Sequence, residues 1–128
     1  MITWNNLDKL ASYQELLNVE RVNLAEAMTG ENGAERVKKY SVPMAAGMAF
    51  NYGAKSVDDN VLAVLAKLAK EAELTEKYAA LYNGEVINTG EKRLVLHQLT
   101  RGQLGEDVIA DGINKREFYL NEQKKIQQ

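Results

Sequence analysis

Three residues of one segment have side chains that could do chemistry together. Arg93, His97 and Arg101 follow one another at intervals of four residues, and the apolar pattern predicts a buried helix over residues 94–101. On such a helix the three side chains share one face. There they could bind a phosphate or carboxylate, with His97 as an acid or base.

The alternative for this cluster is a structural role, and we favour it. His97 is the sole histidine and stands between Leu96 and Leu99. Charged and imidazole groups near a core are usually hydrogen-bonded there. The arginines would then pair with local carboxylates such as Glu91, and the sequence predicts a buried, satisfied imidazole at His97.

Three further groups of residues have both a chemical and a structural interpretation, and we favour the structural one each time. Clustered glutamates could resemble a metal site but are expected to be solvating charges around a helix break. Aromatic rings could stack on sugars or bases but are expected to pack a core. Clustered cations are expected on a solvated helix face. The groups are Glu71, Glu73 and Glu76; Tyr40, Phe50, Tyr52, Tyr78 and Tyr82; and Lys115, Arg116, Lys124 and Lys125.

Composition excludes several classes of function. The chain has 128 residues, 45% of them hydrophobic and 27% charged, with a formal net charge of −2. No strong positive field would attract nucleic acid. The absence of cysteine excludes disulfides and thiolate sites, and no glycine-rich phosphate-binding motif is present. The longest apolar stretch, Val42 to Phe50, is too short to span a bilayer, so we expect no membrane partner and a cytoplasmic protein.

Hydrophobic periodicity predicts a mainly helical fold with a small β-hairpin. The clearest helix covers Asp58 to Glu73, capped by Ser56 or Asp58. A second begins at Thr75 as N-cap and stops at Asn83-Gly84. The remaining expectations, in chain order, are a helix in the first twenty residues with Leu7, Leu10, Ala11 and Leu17 inward, short helices at 24–28 and 34–40 separated by residues 29–33, strands flanking Pro43 and Gly47, a loop over 103–114, and a polar helix over 115–128 anchored by Phe118, Leu120 and Ile126.

Two stretches of the chain resemble a known family. The run from Asn83 to His97 is similar to the phosphoglucose isomerase segment G-E-x-I-N-x-T-E-x-R-A-V-L-H. Glu35 to Ser41, with Asn51 to Lys55, is similar to the family's aromatic-serine turn and its D-Y-S-K-N segment. Departures occur at Asn51, at Gly90 and over residues 98–100 and 102–104. The matching positions of the first stretch are Gly84, Glu85, Ile87, Asn88, Glu91, Arg93, Val95, Leu96 and His97, followed by Arg101.

The resemblance implies an aldose–ketose isomerase that interconverts glucose 6-phosphate and fructose 6-phosphate in glycolysis and gluconeogenesis. In that family a glutamate moves a proton between C1 and C2, without metal or organic cofactor. The family's phosphate pocket and its catalytic glutamate, histidine and lysine lie downstream of the matched stretches. The resemblance therefore assigns no catalytic, cofactor-binding or metal residue here, and it aligns His97 with a histidine that is not the catalytic one.

We therefore expect residues 1–128 to be a single N-terminal segment of a larger α/β sugar-isomerase enzyme. The segment would be structural and inactive alone. Its partners would be the remainder of the isomerase chain and, in a homodimer, a second subunit, while the complete enzyme binds the sugar phosphate. The end of the sequence at Ile126-Gln127-Gln128, in a helix without a C-cap, favours this interpretation. The alternative is a free-standing helical protein-interaction module.

Overall fold

The computed structural model of the chain describes residues 2–101 and 105–127. The chain divides into two compact units, Leu7–Leu68 and a second that combines Met1–Asn6 with Ala69–Gln128. The described residues form six α-helices, three short 3-10 turns and three two-stranded antiparallel hairpins. The predicted fold class, mainly α with a small hairpin, is confirmed, and two further hairpins are added to it.

The first unit contains three short helices, one hairpin and most of the longest helix. Asp58 accepts a hydrogen bond from the backbone N–H of Val61 at 2.8 Å, which confirms the predicted N-cap of that helix. Its buried stripe is Val61, Val64 and Leu68. The elements are α1 (Ala11–Leu17), α2 (Leu24–Ala27), α3 (Gly30–Lys39), β1 (Ser41–Pro43), β2 (Ala49–Asn51) and α4 (Asp59–Glu71).

Two predictions for this unit need correction. The expected first helix is broken into a 3-10 turn at Leu7–Lys9 and α1. Leu7, Ala11 and Leu17 are exposed rather than inward. The expected separator at residues 29–33 lies mostly inside α3. Helix α3 begins at Gly30, which has a positive φ of 60°, and Thr29 before it takes the extended conformation of an N-cap residue.

The second unit contains two helices and two hairpins. The elements are α5 (Leu74–Tyr82), β3 (Val86–Asn88), β4 (Arg93–Leu94), β5 (Ile109–Ala110), β6 (Ile113–Asn114) and α6 (Lys115–Ile126), with a 3-10 turn at His97–Thr100. Helix α5 starts one residue before Thr75. The predicted Thr75 cap is wrong because Glu73, in the left-handed conformation at φ 52°, is the N-cap residue.

The end of α5 is a Schellman motif. Gly84 has φ +72° and donates its N–H to the carbonyl of Leu81 at 3.2 Å, while the N–H of Glu85 reaches the carbonyl of Ala80 at 2.9 Å. These two bonds satisfy carbonyls that have no partner within the helix. The predicted helix stop at Asn83-Gly84 is confirmed.

The last hairpin occupies the second half of the loop predicted over residues 103–114. Residues 105–108 form no helix or strand, as predicted, and residues 103 and 104 lie outside the described part of the chain. Asp111 and Gly112 both have positive φ, 54° and 72°, which is the type I′ turn that joins two antiparallel strands tightly. Ile109 pairs with Asn114, and Ala110 with Ile113. Asn114 then caps α6 by accepting hydrogen bonds from the backbone N–H groups of Arg116 and Glu117. The predicted polar helix is confirmed, but two of its three predicted anchors are wrong, because Phe118 is 45% and Ile126 84% exposed.

Among the described residues, no helix combines the length and hydropathy needed to cross a membrane.

Candidate functional site

A groove in the second unit brings together His97 and Arg101 of the predicted stripe with Tyr78 and Tyr82 of the predicted aromatic group. Its cavity volume is about 220 Å³. Helix α5 supplies Tyr78, Leu81 and Tyr82, and the segment after β4 supplies Val95, His97, Gln98 and Arg101. Both His97 and Arg101 are exposed.

The 3-10 turn that carries His97 is held from both sides. The side-chain amide of Gln98 donates to the carbonyl of Leu81 at 2.7 Å, near the end of α5. The carbonyl of Thr100 accepts a hydrogen bond from the Gln123 side chain of α6 at 2.8 Å. Leu99 between them is fully buried. The positions of His97 and Arg101 in the groove are therefore fixed by packing of Leu99 and by two amide side chains.

The predicted stripe of Arg93, His97 and Arg101 does not form. Arg93 lies on β4 and lines a different cleft. The segment is not an α-helix but a strand followed by a single 3-10 turn, in which residues three apart, rather than four, share a face. The prediction of a buried imidazole at His97 is also wrong, because Leu99 takes the buried position and directs His97 outward.

The groove contains groups that can contact a small anion. An imidazole, a guanidinium and two tyrosine rings converge there. Among the described residues that line it there is no carboxylate. The groove therefore offers cationic and hydrogen-bonding contacts for a ligand.

A wider cleft of about 540 Å³ lies beside the β3–β4 hairpin. It contains three cations, Lys92, Arg93 and Lys115, and one carboxylate, Asp111. The ammonium of Lys115 lies 3.7 Å from Asp111, and Arg93 lies 3.8 Å from Glu91. The Lys115 side chain is only 22% exposed, so the prediction that Lys115 lies on a solvated helix face is wrong.

The other predicted groups have mixed outcomes. Of the aromatic residues, Tyr40 is in the core, while Phe50 and Tyr78 are more than half exposed.

Arg116, expected on a solvated face, is buried because the first turn of α6 directs it toward the loop before β5, where its Nε donates to the carbonyl of Glu106 at 3.0 Å. Glu73 accepts a hydrogen bond from the backbone N–H of Thr3 at 2.7 Å. The described residues contain no group of three possible metal-ligating side chains.

The first unit contains an ion pair with shifted pKa values. Lys39 donates a hydrogen bond to Asp59, and the hydroxyl of Tyr40 donates to the same carboxylate at 3.1 Å. These two hydrogen bonds lower the pKa of Asp59, and the bond to Asp59 raises the pKa of Lys39. Both shifts move the pKa values further from neutral pH.

Arg36 is a buried residue that periodicity did not single out. Its guanidinium donates to the carbonyls of Gly53, Lys55 and Val57 and lies 4.7 Å from the centre of the Tyr40 ring. A buried arginine is usually paired, and here its partners are backbone carbonyls. Arg36 therefore holds the segment after β2 against α3.

Comparisons with known proteins identify the family. The family model for phosphoglucose isomerase matches residues 51–128, more than half of the chain. The chain belongs to the phosphoglucose isomerase family. The predicted resemblance is thereby confirmed, and the matched region includes β3, β4 and both sides of the 220 Å³ groove.

Curated relatives match nearly the whole sequence. The glucose-6-phosphate isomerase of Treponema denticola is 51% identical over 98% of this chain, which is 25% of that relative. Those of Treponema pallidum and Borrelia garinii are 40% and 41% identical over 98% of the chain, covering 24% and 23% of the relatives. The chain thus spans about a quarter of the length of these isomerases, as predicted for an N-terminal segment of a longer enzyme of this family.

Proposed function

We propose that this chain is the N-terminal part of a glucose-6-phosphate isomerase, and that the complete protein interconverts glucose 6-phosphate and fructose 6-phosphate in glycolysis and gluconeogenesis. The observation that supports this is the 51% identity to the Treponema denticola isomerase over 98% of the chain. The proposal includes a cytoplasmic homodimer, which the family resemblance implies.

Within that enzyme the segment has a structural role. Its 220 Å³ groove has no carboxylate among the described lining residues, whereas the family's chemistry needs a glutamate that moves a proton between two carbons. The Asp59–Lys39 pair is exposed and its pKa values are shifted away from neutrality. We therefore assign the catalytic groups and the phosphate pocket to the part of the polypeptide outside these 128 residues.

A chimeric enzyme tests the proposal. The matching quarter of the Treponema denticola isomerase is replaced by this chain, and turnover of fructose 6-phosphate is followed in a coupled assay. We expect turnover by the chimera, and none by the 128-residue chain alone or by the Treponema part without any first quarter. A chimera that folds cooperatively and is inactive would contradict the proposal, as would activity of the 128-residue chain that a mutation in it abolishes.

A further inference from the structure

The β1–β2 hairpin is an exposed apolar surface. Residues 42–50 contain no polar side chain, and each of the nine is exposed. Val42, Met44, Met48 and Phe50 are 48%, 52%, 58% and 54% exposed. Contiguous apolar surface of this kind on a soluble protein marks an interaction site. We call residues 42–50 the apolar hairpin.

We propose that the apolar hairpin inserts into an apolar groove formed by the part of the isomerase polypeptide that lies outside these 128 residues. This inference rests on the proposed function, because it requires that the chain be part of a longer enzyme. It adds a specific docking element to that proposal.

The base of the hairpin is fixed. The side-chain amide of Asn51 donates to the carbonyl of Val37 at 2.6 Å, and the N–H of Tyr52 donates to the carbonyl of Tyr40 at 2.8 Å. Arg36 binds the carbonyls of the segment that follows. An element that is already ordered loses little conformational entropy when it binds, so the hairpin is preorganised for insertion.

The tip has a defined shape and adaptable side chains. Met44 and Met48 close the turn through a backbone hydrogen bond of 2.8 Å, and Ala46 and Gly47 take positive φ values of 57° and 71°. Methionine side chains fill irregular apolar gaps because they are unbranched and flexible. The tip is suited to a pocket lined by apolar side chains.

The chemistry of the hairpin defines its occupant. The apolar hairpin has no charge and no side-chain hydrogen-bonding group, so a charged or polar partner would leave its own groups unsatisfied. Strand addition is limited because each strand has three residues and β1 contains Pro43, which has no N–H. Insertion of side chains into a dry groove remains as the mode of binding.

The length of the relatives indicates where the groove lies. This chain covers 23–25% of them, so about three-quarters of such an isomerase lies outside it. That remainder is joined covalently to the hairpin and is present at high effective concentration, which favours it over a separate partner.

Site-specific photocross-linking in the chimeric isomerase tests this docking. The photoreactive amino acid p-benzoylphenylalanine replaces Met44, and it is also placed at Lys38, whose side chain is 73% exposed and paired with Glu35, as the control. We expect the Met44 probe to cross-link within one chain, leaving the mass on a denaturing gel unchanged. The cross-linked peptide should come from the Treponema part, and the Lys38 probe should give no such product.

Three results would overturn the inference. A product of doubled mass would identify a second copy as the occupant. A cross-linked peptide from within residues 2–127 would place the occupant in this chain itself, and no cross-link above the Lys38 level would mean that the hairpin stays in water.

Turnover measured on the same samples separates this inference from the proposed function. A chimera with turnover and without the intramolecular cross-link overturns the docking alone. A chimera with the cross-link and without turnover supports the docking and contradicts the isomerase proposal.

In the active chimera, Met44→Gln with Met48→Gln should shorten the half-life of thermal inactivation about tenfold, with Ile126→Gln as a matched exposed control. An unchanged half-life would count against insertion.

Discussion

Two buried arginines differ in how many of their hydrogen-bond donors have partners. Arg36 and Arg116 are 9% and 7% exposed. The guanidinium of Arg36 reaches three carbonyls. Arg116 donates from Nε to Glu106, but its two Nη groups are buried without a hydrogen-bond partner among the described residues. A buried cation stabilises a fold only when its donors are satisfied.

We therefore expect Arg36→Met to lower the free energy of unfolding by about 2–4 kcal/mol, because it leaves carbonyls of the 53–57 segment without a donor. Arg116→Met removes unsatisfied donors and should change stability by less than about 1 kcal/mol, or raise it. Urea denaturation of the two variants measures both values. Equal losses would mean that the Arg116 guanidinium is satisfied in solution.

His97 gives a second prediction at this scale. Because its side chain is exposed in the groove, His97→Ala should alter the free energy of unfolding by no more than about 0.5 kcal/mol. Leu99→Ala in the same turn should cost about 2–5 kcal/mol, since Leu99 is fully buried. A large loss for His97→Ala in thermal melts would restore the buried, hydrogen-bonded imidazole that the sequence predicts.

The error at His97 shows what spacing alone cannot decide. Leu96 and Leu99 are three residues apart, as on one face of a helix, and the prediction of a buried imidazole rests on the place of His97 between them. In the structure, β3 pairs with β4, and Val86 lies opposite Leu94. Leu94 is therefore part of a strand and not of a helix. That pairing joins residues separated along the chain, and local periodicity carries no information about it.

At the scale of elements, the end of α5 tests why a glycine is required. Gly84 has φ +72°, and a Cβ built there would lie 2.2 Å from Cγ1 of Val108, a side chain that is 2% exposed. Gly112 has the same φ, and a Cβ there would meet nothing within 4 Å. The two positions share the backbone conformation and differ in the space available.

Gly112→Ala should therefore cost about 1 kcal/mol, from the positive φ alone. Gly84→Ala should cost about 1–3 kcal/mol more, because the added methyl overlaps a packed core side chain. Thermal and chemical denaturation of the two variants gives the difference. Similar losses at both positions would show that Val108 moves aside easily.

Helices with local signals were the predictable part of the fold. Asp58 before α4 and Asn83-Gly84 after α5 are cap residues that act on adjacent backbone groups, so sequence alone locates them. The β5–β6 hairpin also has a local signal, because Asp111-Gly112 between Ile109 and Ile113 is typical of a type I′ turn. Its strands have only two residues each, too short for an alternating pattern to reveal.

At the scale of the whole molecule, family resemblance predicted more than physical pattern did. The run from Asn83 to His97 indicated the isomerase family, which the family model confirms. Physical pattern did not predict that Arg36 and Arg116 are buried or that Phe50 is exposed. These outcomes depend on packing between residues distant in the chain, which local patterns in a single sequence do not predict.

The exposed apolar residues lead to a prediction for the 128-residue chain in isolation. Without the remainder of an isomerase, the apolar hairpin has no groove to enter, and water-exposed apolar surface favours association between copies. We expect a mainly helical circular dichroism spectrum and a molar mass that rises with concentration in size-exclusion chromatography with light scattering.

Met44→Gln with Met48→Gln should weaken that association by about tenfold or more, as loss of two partly buried methionine contacts implies. Ile126→Gln is the control. The Ile126 side chain is 84% exposed, more than any other large apolar side chain among the described residues, and its substitution should leave the association unchanged. Loss of association in Ile126→Gln but not in the double variant would assign the self-association to α6. A chain that stays monomeric at every concentration would show that the hairpin tolerates water, which would favour a free-standing module over a segment that needs the rest of an enzyme.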